Sequence, residues 1–283
     1  MKIKKKRSLF SIVLFFTILF CAAPVMAMPS DADSNTAQMR GERVDFPLAV
    51  GASTDFVLER ALSNGEGLEN ADWYGANIYF DPVERLHFNL FLGAQQGSLE
   101  DLRLELSTGG LVTDVTGVGK SETAFAFGIG AKADVMEFDL LPDRSKTELF
   151  VSGGYRRTDS DLESAAGSNG LQPTALDMEI ELQEWQAGVG VKQRFDDLIP
   201  GISLLPYLGV KYSDVDIDLS GISSFPAGPG VTASIVTGSR ESNDIVGLFL
   251  GLQVLGWENR LSLDIEGRWV EETAVYLNGH IRW

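Results

Sequence analysis

From about Leu48 to the last residue, apolar and polar side chains alternate with a period of two, in one short stretch after another. That period belongs to β-strands with two unlike faces. In Leu48–Glu59, the residues Leu48, Val50, Ala52, Phe56 and Leu58 oppose Gly51, Ser53, Asp55 and Glu59. The same pattern recurs over 73–80, 85–95, 123–135, 148–156, 184–195, 206–213, 244–254, 260–269 and 275–283. Connections at 81–84, 139–145, 196–202 and 255–259 are short. Most of the others are long and rich in Gly, Ser and Asp, as in 98–120 and 220–240; the last, near Glu271–Thr273, is tight. Short turns on one rim and long loops on the other predict an all-β, closed, antiparallel, up-and-down transmembrane barrel. The count is about ten strands, with eight or twelve as alternatives, because Leu102–Val115 fits either a hairpin above the membrane or two more spanning strands.

Alternation alone does not say which face is wet, since a soluble sandwich alternates too. Three details put the apolar face against lipid. It carries almost no charge along the middle of each strand, where a charge facing lipid costs about 2–4 kcal/mol. Aromatic residues sit near its ends: Tyr155, Trp185, Tyr212 and Trp269 as one girdle, with Phe80, Phe195 and Trp283 as the other. The opposite face is rich in glycine and carries charges of both signs, which a narrow lumen must pair. Those expected lumen charges are Asp55, Glu59, Lys132, Asp134, Glu148, Arg156, Glu184, Lys192, Arg194, Lys211, Asp264, Glu266, Arg268 and Arg282.

The first residues change the picture of compartment. A basic start, an apolar run and a small-residue site ending at Ala27 predict a secretory signal peptide over 1–27. Residues 28–43 are polar and lack alternation, which predicts a flexible N-terminal segment ahead of a barrel domain over 44–283. Removing the signal removes Cys21, the only cysteine, and five basic residues, leaving 18 basic against 40 acidic residues, a net charge of −22. So acidic a chain disfavours nucleic acid as a partner.

The closing stretch Val275–Trp283 alternates up to an aromatic end. With the barrel pattern it carries a resemblance, covering Val44 to Trp283, to the small single-chain outer-membrane β-barrel proteins of Gram-negative bacteria. The resemblance implies location in the bacterial outer membrane, contact with its lipid and lipopolysaccharide, and a monomer. It also implies that Val275, Leu277, Gly279, Ile281 and Trp283 form the signal read by the barrel-assembly machinery. Tryptophan in place of the commoner phenylalanine is a departure from that signal.

Candidate chemistry is sparse. With the last turn centred on Glu271–Thr273, Asp264 is expected opposite His280, and Ser262 opposite Arg282, so that Ser262, Asp264 and His280 share one face. Such a trio can activate a hydroxyl; a lumen hydrogen-bond network is the plainer expectation. Asp214, Asp216 and Asp218 fall on one face above Tyr212, near Asp159, Asp161 and Glu163. They are a candidate rim for divalent cations bridging to lipopolysaccharide, or simply a solvated strand top. No cofactor is expected otherwise. The reading is a structural or adhesin-like barrel working through its long loops, with a non-enzymatic role favoured over an enzymatic one. A narrow pore for ions or small solutes and a lipid- or peptide-cleaving hydrolase are the alternatives.

Overall fold

The computed structural model describes residues 47–283 except 84, 109–110, 142–144, 168–175, 224, 229–230, 243–244 and 271. The expected signal peptide and N-terminal segment lie outside the described residues. Ten strands form the wall. They are β1 (Leu48–Ala61), β2 (Gly67–Val83), β3 (Leu86–Thr108), β5 (Ala124–Leu141), β6 (Ser145–Gly167), β7 (Leu176–Ile199), β8 (Ile202–Ser223), β12 (Val246–Gly256), β13 (Leu261–Trp269) and β14 (Glu272–Arg282). Each pairs antiparallel with the next in that order. β14 then pairs with β1 from Ala49↔Arg282 to Arg60↔Glu272. The sheet therefore closes on itself and the wall has no free edge, which is what backbone groups in lipid require. Among the described residues no helix is long and apolar enough to cross a membrane.

The strands run on past the short-turn wall at the long-loop rim. β3 pairs with β5 over 86–95, and then over 98–108 with β4 (Leu111–Ser121). Only Glu122 and Thr123 separate β4 from β5, and the Glu122 N–H donates to the Asp161 carbonyl, so the two act as one wall strand with a step. The other side of upper β3 is covered by β10 (Val231–Ile235), which also carries β9 (Phe225–Gly228). β11 (Gly238–Glu241) covers β8 over Asp216–Leu219. The stretches 98–120 and 220–240, expected as loops, are thus largely strand. Leu102–Val115 belongs to a hairpin above the wall and adds no spanning strands.

Along the wall the outward residues are apolar and exposed. The row Val151, Val189, Val210, Leu248 and Trp269 crosses five strands in register. Above the level of Tyr155, Trp185 and Tyr212 the rule inverts without a change of phase. On β7, Met178, Ile180 and Leu182 point inward and are buried, while Glu179, Glu181 and Gln183 point outward. On β8, Val215, Ile217 and Leu219 point inward and Asp214, Asp216 and Asp218 outward. The outer storey is therefore built like a soluble barrel, with its own dry core of Leu62, Leu68, Leu99, Leu102, Leu162 and Ile235 beside those six residues. The buried pair Arg240–Glu66, Nε to Oε2 at 2.6 Å, fastens β11 to the β1–β2 connection.

Candidate functional site: the lumen

One bulge decides which charges enter the barrel. Pairing of β1 with β14 slips between Val57 and Glu59, while its pairing with β2 keeps one register. Parity changes there, so Glu59 is exposed and Arg60 takes the inward position, 2 % exposed. This corrects the expectation of Glu59 as a lumen charge: alternation shows a strand's period but not the extra residue of a bulge. The other expected lumen charges lie on the inner face.

At the foot of the apolar core, five of these groups form a plate across the ring together with Arg60 and Glu272. Arg60 Nη1 donates to Glu184 Oε1 at 3.1 Å, and Arg60 Nη2 to Ser213 Oγ at 3.0 Å. Ser213 Oγ in turn donates to Glu184 Oε1 at 2.7 Å. Arg156 binds Glu184 and reaches Asp55 Oδ2 at 2.6 Å, while its guanidinium stacks on Trp73, 4.3 Å from the ring centroid. Arg268 binds Asp55 and meets Glu272 Oε1 at 2.9 Å. Lys211 Nζ donates to Glu272 Oε1 at 2.8 Å, and Arg60 binds Glu272 as well. Every carboxylate here meets at least two cationic or hydroxyl donors, which is what makes buried charge tolerable. Arg60 and Glu272 were missed in the sequence; both sit where a bulge or turn resets the phase.

Below the plate the inner face is looser. Lys132, Asp264, Glu266, Tyr79, Tyr276 and Asn278 are only half-buried. Lys132 Nζ lies 4.2 Å from the Phe150 centroid, and Tyr207 donates to Asp264 Oδ1 at 2.8 Å. Phe150, Tyr207 and Phe249 pack together over inward-facing glycines. An ideal Cβ on Gly209 would lie 2.3 Å from Phe249 and 2.3 Å from the Val189 carbonyl. At the short-turn rim, Lys192 bridges Asp134 at 2.8 Å and Glu148 at 2.7 Å, Arg194 holds Asp196 at 2.8 Å, and Arg282 holds Asp81.

Ser262, Asp264 and His280 are on the inner face but form no relay. β13 and β14 pair with Ser262 opposite His280 and Asp264 opposite Asn278, two residues off the expected register. The chain turns earlier than expected, with Val270 left-handed at φ 86°, and Glu272 falls in the plate. Ser262 accepts from Gln253, Asp264 is bound to Tyr207, and His280 lies against the Tyr79 ring at 4.6 Å.

Outside, Tyr155 and Trp185 are cross-strand partners with centroids 4.6 Å apart. Trp185, Tyr212, Trp269, Phe80 and Trp283 are exposed, and Phe195 is half-buried. Tyr74 and Trp257 are also exposed; the first shares the outward parity of β2 and the second sits in the β12–β13 turn. In the closing strand, Leu277 is buried between Thr54 and Ile265, and a Cβ on Gly51 would lie 2.3 Å from the Gly279 carbonyl. Val275 is half-buried and Ile281 exposed. Asp214, Asp216 and Asp218 project outward, and Asp159, Glu181 and Asp218 stand in one row. Among the described residues no group of these carboxylates converges as a metal site.

A model of the Chlamydia major outer membrane protein family matches residues 114–248, slightly less than half of the chain. No curated protein sequence matches it. Solved structures similar in fold include the outer membrane protease OmpT of Escherichia coli, at 10% identity and TM-score 0.37, covering 84% of this chain and 91% of that one. The β domain of the Bordetella autotransporter BrkA is 13% identical with TM-score 0.39, covering 84% and 100%. The outer membrane protein OprG of Pseudomonas aeruginosa is 7% identical with TM-score 0.34, covering 83% and 94%. The closed wall, its apolar belt and the family match place the chain among the outer-membrane β-barrels of Gram-negative bacteria.

Proposed function

We propose that this barrel does not conduct, and that it serves as a structural or attachment protein through its outer storey. The observation that carries the reading is the plate: charges from β1, β6, β7, β8, β13 and β14 neutralise one another across the full width of the lumen. Above it lies a buried apolar core, which a hydrated ion would have to cross bare. Planar-bilayer recording of the purified protein tests this. Quiet membranes are expected; steady open steps whose size changes in Arg156→Gln or Lys211→Gln would overturn the reading and favour the pore.

The hydrolase alternative is weakened by the separate engagements of Ser262, Asp264 and His280. The hairpins of the outer storey and its strongly acidic outer wall support contact with surface partners. That wall begins where the aromatic girdle ends, at headgroup level, so anionic lipopolysaccharide would meet it through divalent cations. The exposed Trp283 at the end of a paired last strand supports recognition by the barrel-assembly machinery. A wall closed by its own strands supports a monomer.

A further inference from the structure

His87 is the second residue of β3, at the periplasmic mouth. Its Nδ1 lies 3.0 Å from Asp81 Oδ1 on β2, and its Nε2 3.5 Å from Asp134 Oδ2 on β5. A carboxylate can only accept, and a neutral imidazole owns a single N–H. Two carboxylates flanking both nitrogens are served together only by the doubly protonated ring. Each carboxylate is also held by a cation, Asp81 through its other oxygen and Asp134 through the same Oδ2 that faces His87. Arg282 of β14 binds Asp81, and Lys192 of β7 binds Asp134 at 2.8 Å and Glu148 of β6 at 2.7 Å.

The result is one chain of alternating charge: Arg282, Asp81, His87, Asp134, Lys192, Glu148. It links six strands around the mouth, and His87 is its middle link. We infer that His87 is a proton-operated clasp, closing the periplasmic mouth as imidazolium and releasing it when the proton leaves. The groups facing it are Asp81 from β2, Asp134 and the cross-strand Lys132 from β5, and Arg282 and His280 from β14. The two carboxylates touch the ring, and each is partly neutralised by its own cation, so the ring's charge completes the alternation. When the proton leaves, one nitrogen lone pair faces a carboxylate oxygen. The chain then parts into Arg282–Asp81 on one side and Asp134–Lys192–Glu148 on the other.

His87 and His280 are the only histidines, so the test is direct. In 15N-histidine protein in micelles, His280→Gln leaves His87 as the sole imidazole signal. Both ring nitrogens are expected to be protonated at pH 7; a neutral single tautomer there would overturn the clasp. Spin labels at Val83→Cys and Ile199→Cys, both exposed near the mouth, report its width. The distance distribution is expected to be narrow at pH 6 and to broaden at alkaline pH. With His87→Gln it should be broad at every pH, and with His87→Arg narrow at every pH. A His87→Gln distribution matching the unsubstituted residue at pH 6 also rejects the proposal. Neither readout depends on whether the barrel conducts.

Discussion

Arg60 on β1 donates to Glu184 on β7 at 3.1 Å, although β1 and β7 stand five strands apart on either path around a ten-strand ring. The bond is a strut between opposite walls. It exists because a single bulge turns Arg60 inward.

Glu184→Ala removes the acceptor that Arg60, Arg156 and Ser213 share. Uncompensated cations then remain in a buried layer, a change that costs about 3–5 kcal/mol. Urea unfolding of the barrel in lipid vesicles is expected to show a loss of that order. Glu241→Ala, an exposed carboxylate of the outer storey, is expected to stay within about 0.5 kcal/mol.

Gly209 tests the aromatic packing. Its missing Cβ leaves room that Phe249 and the Val189 carbonyl already occupy. Because the carbonyl belongs to the neighbouring strand, relief requires the wall itself to move. Gly209→Ala should destabilise by about 1–3 kcal/mol, read from the same unfolding curves.

The change of rule along β8 gives a paired prediction. Leu208 is 57% exposed on the lipid face, and Asp218 faces outward above the girdle. Leu208→Arg should cost about 2–4 kcal/mol. Asp218→Arg, ten residues further along the same face, should be close to neutral. Equal costs at the two sites would remove the membrane boundary from between them.

The outer rim also carries a pH signature. Burial, then a hydrogen bond and charge from Glu100, with added repulsion from Glu59 and Asp101, push the Glu69 carboxyl up to about 7. A carboxyl raised in the folded state stabilises fully below its unfolded value and loses that contribution as pH rises through 7. Hydrogen exchange at 66–70 and 98–101 should therefore quicken between pH 6 and pH 8, beyond its intrinsic pH dependence. In Glu69→Gln that excess should vanish.

The wall was legible in the sequence because lipid imposes a strict period: Val151, Val189, Val210 and Leu248 could be assigned outward from alternation alone. The lumen was legible as a set of charges but not as pairs. Arg60 and Glu59 exchange roles through one inserted residue, and Ser262 meets His280 through a turn placed earlier than composition suggested. The outer storey was missed for a different reason. Met178, Ile180 and Leu182 alternate as regularly as any spanning strand, but beyond the membrane water lies outside, so the same period serves the reverse arrangement.

That reversal gives one chain two solvents. A detergent has only the lower band to wrap, and the upper storey, held by its own core, stays folded in water beside the micelle. Denaturants that act through water reach the upper storey first. Hairpins there can be recut or replaced as in a soluble protein, while the lower wall answers only to lipid.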